Sequence, residues 1–338
     1  MKIRMKSYIS ATGIIMTLVL FSACSLNNDW EEREKEEIKK LETHIASLKA
    51  QGAEIVDYEM SSYTWYFEDM GFFAAPGVSP VVNDYILVDY VRRSLDGDIK
   101  FTNIDSLIPE WDTYNKNKSY YSYYLFVPYK FVFGYNTPAF NAGVGLLKEG
   151  QQAKIYYPSG LGFGDHVTLI DEVKLYKVIS DIEKYDSLQL EWARSEFGFN
   201  ADSYISRSDI FYQEIAPGDT SIDFGANDSL KVKFVAYYLQ EEGLVRFDSI
   251  WGTSDLTFAV IPSTKSKVEA FTPENHVPFT KGFASAMDTI AIGTEALILV
   301  PNAKGFSSKG LSHALLGFPV VPNYTSLLYK LKVVGKKE

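Results

Sequence analysis

The side chains of this sequence that could do chemistry are mostly aromatic. Phe and Tyr number 22 and 23, and aromatic residues make up 15% of the 338 residues. So many flat, β-favouring side chains predict a sheet-rich fold with aromatic-lined surfaces or clefts. No Gly-x-Ser-x-Gly elbow, phosphate loop or dinucleotide fingerprint is present. The four histidines are scattered without ligand spacing, so neither a metal site nor a cofactor is predicted.

The N-terminus has the three-part layout of a secretory signal. Basic residues precede an apolar run from Ile9 to Phe21, and the only cysteine of the chain closes the triplet Ser22-Ala23-Cys24. This placement resembles a bacterial lipobox, which predicts removal of residues 1–23 and lipidation of Cys24. The mature protein is then expected in the cell envelope rather than in the cytoplasm. A lipid is expected to hold it to a bacterial membrane, by preference the outer membrane. A plain signal peptide with a chance cysteine is the alternative.

Composition limits the partners and the stabilising chemistry. Hydrophobic residues make up 46% and charged residues 22%, as in globular proteins, and the net charge is −10. A nucleic-acid partner is excluded, because its phosphates would be repelled. A secreted chain with one cysteine has no internal disulfide, so ordinary packed cores must stabilise it.

Two helices are predicted outside the sheet-forming regions. After the cysteine, a tether and helix are expected over 24–52, with Ile38, Leu41, Ile45 and Leu48 on one narrow face. This helix could be a spacer or self-association element, or it could lie against the first domain. A second helix within a linker over 181–209 has Tyr185, Leu188 and Trp192 on one face. Strands are predicted over 85–90, 153–157, 168–178, 230–238, 296–300 and 326–334.

An internal repeat organises the rest of the chain. The pattern Phe-x9-Gly-x2-Ala-x-Ile-x2-Pro occurs twice, beginning at Phe140 and at Phe283. Upstream, Val88-Asp-Tyr90 matches Val235-Ala-Tyr237, and Phe101 matches Phe247. In both copies a short helix carries the first phenylalanine. The sequence therefore predicts two homologous α+β domains, repeat one over 53–180 and repeat two over 210–338.

The repeats resemble the FKBP-type peptidyl-prolyl isomerase family. The likeness rests on Leu95-Asp-Gly97 and Ile155-Tyr-Tyr-Pro158 in repeat one, and on Phe247-Asp248-Ser249 and Val321-Pro322-Asn323 in repeat two. The resemblance implies tandem domains, each an antiparallel sheet wrapped around a short helix with an aromatic cleft between them. It also implies isomerisation of X–Pro bonds without a nucleophile or cofactor.

The resemblance assigns site residues to repeat two. Phe247 and Asp248 match the pair at the cleft edge, and Phe283 matches the floor, where the family has a larger Trp. Phe306 lies where the family has a tyrosine that donates a hydrogen bond, so this chain lacks that hydroxyl. Tyr237 matches the strand tyrosine, with Tyr238 adjoining it. Val321 matches the apolar residue of the loop over the cleft, and Tyr329 matches the wall aromatic.

Repeat one retains the rings but departs elsewhere. The corresponding aromatic residues are Tyr90, Phe101, Tyr129, Phe140 and Phe163. Thr102 replaces the acid after the phenylalanine, and Asp171 replaces the wall aromatic, which puts a charge into a cleft expected to be apolar. Only 7 residues separate Phe163 from Asp171, against 22 between Phe306 and Tyr329, so the loop over the cleft is nearly lost.

Three functions are compatible with these features. The first is a lipid-anchored folding factor that isomerises X–Pro bonds in exported unfolded or proline-containing polypeptides, with its activity in repeat two. The second is a non-catalytic binding protein that holds a peptide or partner. The third is an adhesion or assembly lipoprotein that associates through the Ile38–Leu48 helix. The insertion Ser254–Pro278 could cap the cleft or be a surface loop.

Overall fold

The computed structural model describes residues 9–104, 107, 129–132, 134, 136–206, 208–221, 230–251, 258–260, 280–287, 290–312 and 319–336. Contacts divide the chain into two compact units. One contains the described parts of 1–79, 90–101 and 134–175, and the other contains those of 80–89, 102–133 and 176–338. These units differ from the predicted boundaries, since 80–89, 102–133 and the predicted linker 181–209 all fall in the second unit.

Helices and strands follow the order expected of a duplicated α+β chain. The elements up to the end of repeat one are α1 (Ile9–Ala50), β1 (Ile55–Met60), β2 (Tyr63–Phe72), β3 (Tyr85–Ser94), β4 (Ile99–Thr102), β5 (Tyr129–Val132), α2 (Pro138–Gly145), β6 (Gln151–Tyr157) and β7 (Leu169–Ile179). Those that follow are α3 (Ile182–Glu196), β8 (Tyr204–Ile205), β9 (Ile210–Ala216), β10 (Leu230–Gln240), β11 (Gly243–Ile250), β12 (Phe258–Val260), α4 (Lys281–Ala286), β13 (Glu295–Val300), β14 (Leu311–Ser312), β15 (Pro319–Val321) and β16 (Leu327–Lys336).

The two large sheets have the same topology. Within the described residues, each has seven strands. The first has the order β1-β2-β6-β7-β3-β4 with β5 on β3, and the second has the order β8-β9-β13-β16-β10-β11 with β12 on β10. Every strand of the first thus has a counterpart in the second. The predicted α+β fold class is confirmed: two antiparallel sheets of matching strand order follow an N-terminal helix.

The repeated residues occupy equivalent places in the two domains. Phe140 on α2 and Phe283 on α4 are both completely buried. Gly150 and Gly293 both adopt a positive φ, 80° and 93°, just before β6 and β13. In both strands burial alternates over the first residues, and the last three residues are all buried.

Helix α1 packs on the first sheet. Its Leu41 and Ile45 are buried in a cluster with Tyr66, Tyr156 and Ile170. The structure therefore has the helix laid against the first domain, one of the two predicted interpretations, and its apolar face is covered. Self-association through this helix stays a prediction. Among the described residues, no helix is long and apolar enough to cross a membrane.

Helix α3 packs on the second sheet through a face that matches the predicted one in Tyr185 and Trp192 but not in Leu188. Leu188 is 53% exposed, whereas Tyr185, Gln189 and Ala193 are buried. Ala193 lies in a cluster with residues of β9, β10, β13 and β16. The error arose because the polar Gln189, which takes part in the buried face, carries no hydrophobic signal.

Candidate functional site

The predicted rings of repeat two lie in one hydrophobic cluster. Phe247 is 6.3 Å from Tyr329 and 6.3 Å from Phe306, between ring centroids. Phe283 on α4 is 4.7 Å from Tyr329. Val321 belongs to the same cluster. Five predicted site residues from separate segments therefore lie together in this cluster.

Strand register explains this convergence. Tyr329 on β16 lies opposite Ala236 on β10 and Ile298 on β13, and Asp248 on β11 also lies opposite Ala236. Residues directly opposite one another share a face of the sheet. The β10–β11 register shifts next to Asp248, so that Phe247 is an extra residue with no partner in the register. Such a bulge re-aims the side chain, and it brings Phe247 into the same core cluster as Tyr329.

Tyr237 does not join this cluster. It lies on the opposite face of β10, against the residues that pack on α3. Its neighbour Tyr238 is buried in the ring cluster, with its centroid 6.5 Å from that of Phe247. Because side chains alternate along a strand, only one of the two adjacent tyrosines can face the core. Tyr238, and not the predicted Tyr237, is therefore the tyrosine of β10 that faces the ring cluster.

Two polar groups adjoin the rings. Burial raises the pKa of Tyr329, a hydrogen bond with Thr280 lowers it, and the charge of Asp248 raises it further. Asp248 is buried, and its Oδ1 accepts a hydrogen bond from the Ser249 backbone N–H at 2.8 Å. Thr280, which caps the N-terminus of α4, was missed by the sequence analysis. Thr137 occupies the matching N-cap position of α2, without a side-chain capping hydrogen bond, so the repeated Thr-x2-Phe spacing is the signal that could have found Thr280.

The connection over the ring cluster is compact. Leu311 pairs with Val321, and Tyr324 donates its backbone N–H to the Ser307 carbonyl at 2.8 Å. Gly310 has a φ of 60°, and a Cβ there would lie 2.6 Å from the Val321 carbonyl oxygen, so only glycine fits. Val321 is completely buried and Phe306 is half-buried. Phe306 is therefore the ring of the set with the most surface open to a ligand.

Repeat one has a smaller group of rings. Tyr90 stacks on Phe101 at 4.8 Å and contacts Phe140 at 5.4 Å. Burial raises the pKa of Tyr90 to about 12. Thr102 is buried, and its Oγ1 accepts a hydrogen bond from the Ile104 N–H. Tyr129 is on β5, but its side chain lies outside those described.

Asp171 of repeat one is completely buried and paired, where the sequence analysis expected an unfavourable charge. Arg92 donates from Nε and Nη2 to the two carboxylate oxygens at 2.7 and 2.8 Å. The Tyr157 hydroxyl donates to Oδ2 at 2.7 Å. Burial opposes the charge of Arg92, but the hydrogen bond and attraction of Asp171 outweigh it and raise the Arg92 pKa. A bidentate ion pair therefore fills this part of the first cleft.

Phe163 is also placed differently from the prediction. It is 64% exposed, and the Arg92 guanidinium lies 5.1 Å from its ring centroid. The ring thus covers the ion pair, and its outer face is open to solvent.

Two predicted features lie wholly or mostly outside what the structure describes. Cys24 falls within α1, and its side chain is outside those described. Most of the insertion Ser254–Pro278 is outside the described residues as well. In the described part of the chain, no group of three or more His, Cys, Asp or Glu side chains could hold a metal ion.

Comparison with known proteins finds FKBP-type structures. No protein-family model matches the chain, and no curated protein matches it. The structure of the three FKBP domains of wheat FKBP73 is similar to this chain, with 12% identity and a TM-score of 0.26. The match covers 81% of this chain and 94% of the wheat structure. A peptidyl-prolyl cis-trans isomerase from Pseudomonas syringae covers 46% of this chain and 94% of its own, with 14% identity and a TM-score of 0.31. The match to FkpA from Escherichia coli covers 52% of this chain and 75% of FkpA, with 20% identity and a TM-score of 0.32.

Proposed function

We propose that this chain isomerises X–Pro bonds in exported polypeptides and that repeat two performs the reaction. One observation supports this most: Phe247, Phe283, Phe306, Val321 and Tyr329 share one cluster, on the face of the second sheet that carries Asp248. Repeat one, whose cleft contains the Arg92–Asp171 pair, is proposed to be inactive.

The chemistry suits such a site because no bond is made or broken. Rotation about an X–Pro bond crosses a barrier of about 18–20 kcal/mol, which comes from the partial double-bond character of the amide. A twisted amide has lost that resonance and the charge separation that accompanies it. Apolar surroundings therefore favour the twisted form over the planar one. In this proposal, Phe283 and Tyr329 hold the proline ring and Asp248 orients the peptide.

The proposed location is the bacterial cell envelope. The basic start, the apolar run and Ser22-Ala23-Cys24 support export and a lipid on Cys24, preferentially at the outer membrane. The proposed substrates are accordingly unfolded, proline-containing polypeptides that have been exported.

A second candidate is a non-catalytic binding protein of the same location. Phe306 has no hydroxyl to donate to a substrate carbonyl, and Phe247, Phe283 and Tyr329 are buried among one another. Both observations favour holding a peptide or partner at the Phe306 edge over catalysis.

An isomerisation assay on the full chain separates the two candidates. Phe247→Leu removes a ring from repeat two, and Phe101→Leu makes the same change at the matching position of repeat one. The proposal expects activity in the wild type, a loss of roughly tenfold in Phe247→Leu, equivalent to about 1.4 kcal/mol of the barrier, and little change in Phe101→Leu. Wild-type activity at the uncatalysed rate would favour the binding protein. Equal losses in the two variants would refute the assignment to repeat two.

A further inference from the structure

A buried carboxylate on α1 is hydrogen-bonded to two separate segments of repeat one. Glu37 accepts from the Ser159 backbone N–H at 2.6 Å and from the Ser159 hydroxyl at 2.7 Å. It also accepts from the Thr168 hydroxyl at 3.2 Å. Its three donors and its burial make Glu37 part of the domain interior, although α1 precedes the repeat in the chain.

A buried carboxylate on α3 binds the two matching segments of repeat two, although here the segment before the last strand supplies two of the three donors. Asp186 accepts from the Ser326 backbone N–H at 2.7 Å and from the Ser326 hydroxyl at 2.8 Å. It also accepts from the Asn302 side-chain amide at 2.6 Å. Like Glu37, Asp186 is almost completely buried.

The donors occupy equivalent positions in the two repeats. Ser159 and Asn302 each follow the repeated proline, Pro158 or Pro301, at the end of β6 or β13. Thr168 and Ser326 each immediately precede the last strand, β7 or β16. Each carboxylate therefore joins the two ends of one connection, 159–168 in repeat one and 302–326 in repeat two.

The connection in repeat two carries part of the proposed site. Phe306 and Val321 lie within 302–326, and Tyr329 follows its end by three residues. A longer connection loses more entropy when its ends are brought together, so joining the ends matters more here than in repeat one. Hydrogen bonds to a buried, charged acceptor are among the stronger ones available.

We propose that Asp186 is a positioning residue: it holds the ends of 302–326 so that Phe306 and Val321 meet the ring of Phe247. Glu37 does the same for 159–168. The structural unit that is duplicated is consequently a helix plus a sheet domain, with α3 belonging to repeat two. The effect of Asp186 on isomerisation rests on the proposed function, but its effect on the structure of 302–326 can be tested without that function.

Amide hydrogen exchange in the full chain provides the test. Asp186→Asn keeps the size of the side chain but removes the charge and one acceptor oxygen. The Tyr324 amide is the reporter, because it is bonded to the Ser307 carbonyl and makes no bond to Asp186. We expect its exchange to accelerate about tenfold or more, while that of Val333 in the sheet stays unchanged. Asp186→Glu, which restores a carboxylate of the kind used in repeat one, should recover much of the protection.

Glu37→Gln is the matched control. It should accelerate exchange at Gly164, whose amide is bonded to the Ser159 carbonyl, and leave Tyr324 unchanged. The inference is overturned if Asp186→Asn leaves Tyr324 unchanged, or if Tyr324 and Val333 accelerate equally, which would indicate general destabilisation.

Isomerisation gives a second, separate readout. If the wild type is active, Asp186→Asn should raise KM more than it lowers kcat, because the walls of the site lose their placement and no reacting group is removed. An unchanged KM in a variant with faster exchange would refute the positioning role. If the wild type is inactive, the proposed function fails, and exchange alone decides whether Asp186 holds the connection.

Discussion

One residue position shows clearly how the chemistry of the two repeats differs. Asp171 lies opposite Ile155, and Tyr329 lies opposite Ile298, so the two side chains occupy the same register position. In repeat two the position holds a ring that packs on Phe283, whereas in repeat one it holds a carboxylate bonded to Arg92. Burial of a charge requires a partner, and Arg92 is that partner for Asp171.

The first residue-scale prediction concerns this ion pair. Arg92→Leu or Asp171→Leu alone leaves one buried charge unpaired, and each should cost about 3–5 kcal/mol of unfolding free energy. The double variant removes both charges and should recover most of that loss. Denaturant unfolding, followed through tryptophan fluorescence to which the buried Trp65 of the same unit contributes, measures the unfolding free energies of the three variants. A double variant as unstable as the single ones would contradict the prediction.

The second prediction concerns alkaline pH. Burial raises the pKa of Tyr90 to about 12, above the value of about 10 in an unfolded chain. Between these values the unfolded chain releases the proton and the folded chain keeps it, so stability falls as pH rises, by up to about 1.4 kcal/mol per pH unit. Below pH 10 this group has no such effect.

Tyr90→Phe removes the titrating group and tests that sign. The unfolding free energies of the wild type and the variant, measured from pH 8 to pH 12, should run parallel up to about pH 10. Above it, the wild type should lose stability more steeply. Profiles that remain parallel throughout would show that Tyr90 does not titrate with a raised pKa.

At the scale of elements, the sequence predicts where a strand lies better than it predicts which of its side chains face the core. The predicted strand over 230–238 matches the core of Leu230–Gln240, because β-branched and aromatic residues mark it. The choice of Tyr237 over Tyr238 failed, although the alternation along β10 from Leu230 to Ala236 already places Tyr238 on the core face. The Arg92–Asp171 contact was also missed, since pattern and spacing carry no signal for a pair on different strands.

Helix packing gives the element-scale prediction. Leu41 of α1 is 1% exposed, and Leu188 of α3 is 53% exposed. Leu41→Ala should therefore cost about 2–5 kcal/mol of the first unit's stability, because it leaves a cavity between helix and sheet. Leu188→Ala makes the same change on a helix surface and should stay within about 0.5 kcal/mol.

Unit-resolved hydrogen exchange measures both variants. Leu41→Ala should speed exchange of the buried amides of β6, and Leu188→Ala should leave those of β13 unchanged. A negligible effect of Leu41→Ala would mean that α1 is not bound to the first sheet in solution.

At the scale of the whole molecule, duplication is the feature that the sequence predicts most fully. Five residues at constant spacing anticipated the matching strand orders of the two sheets. The sequence did not show that α1 and α3 belong to the duplicated unit as well. Glu37 and Asp186 have equivalent contacts, but one is Glu and the other Asp, and their partners are more than a hundred residues away in sequence.

Attachment to a membrane is the whole-molecule prediction. If lipid on Cys24 tethers the chain, Cys24→Ser should move the protein from the membrane fraction of its cells to the soluble fraction, because a buried acyl chain supplies the binding free energy. Ser25→Ala, one residue away, should leave it with the membranes. The net charge of −10 supports this expectation, since an anionic membrane surface would repel the unlipidated protein rather than retain it. Retention of Cys24→Ser at the membrane in high salt would show that something other than this lipid holds the chain there.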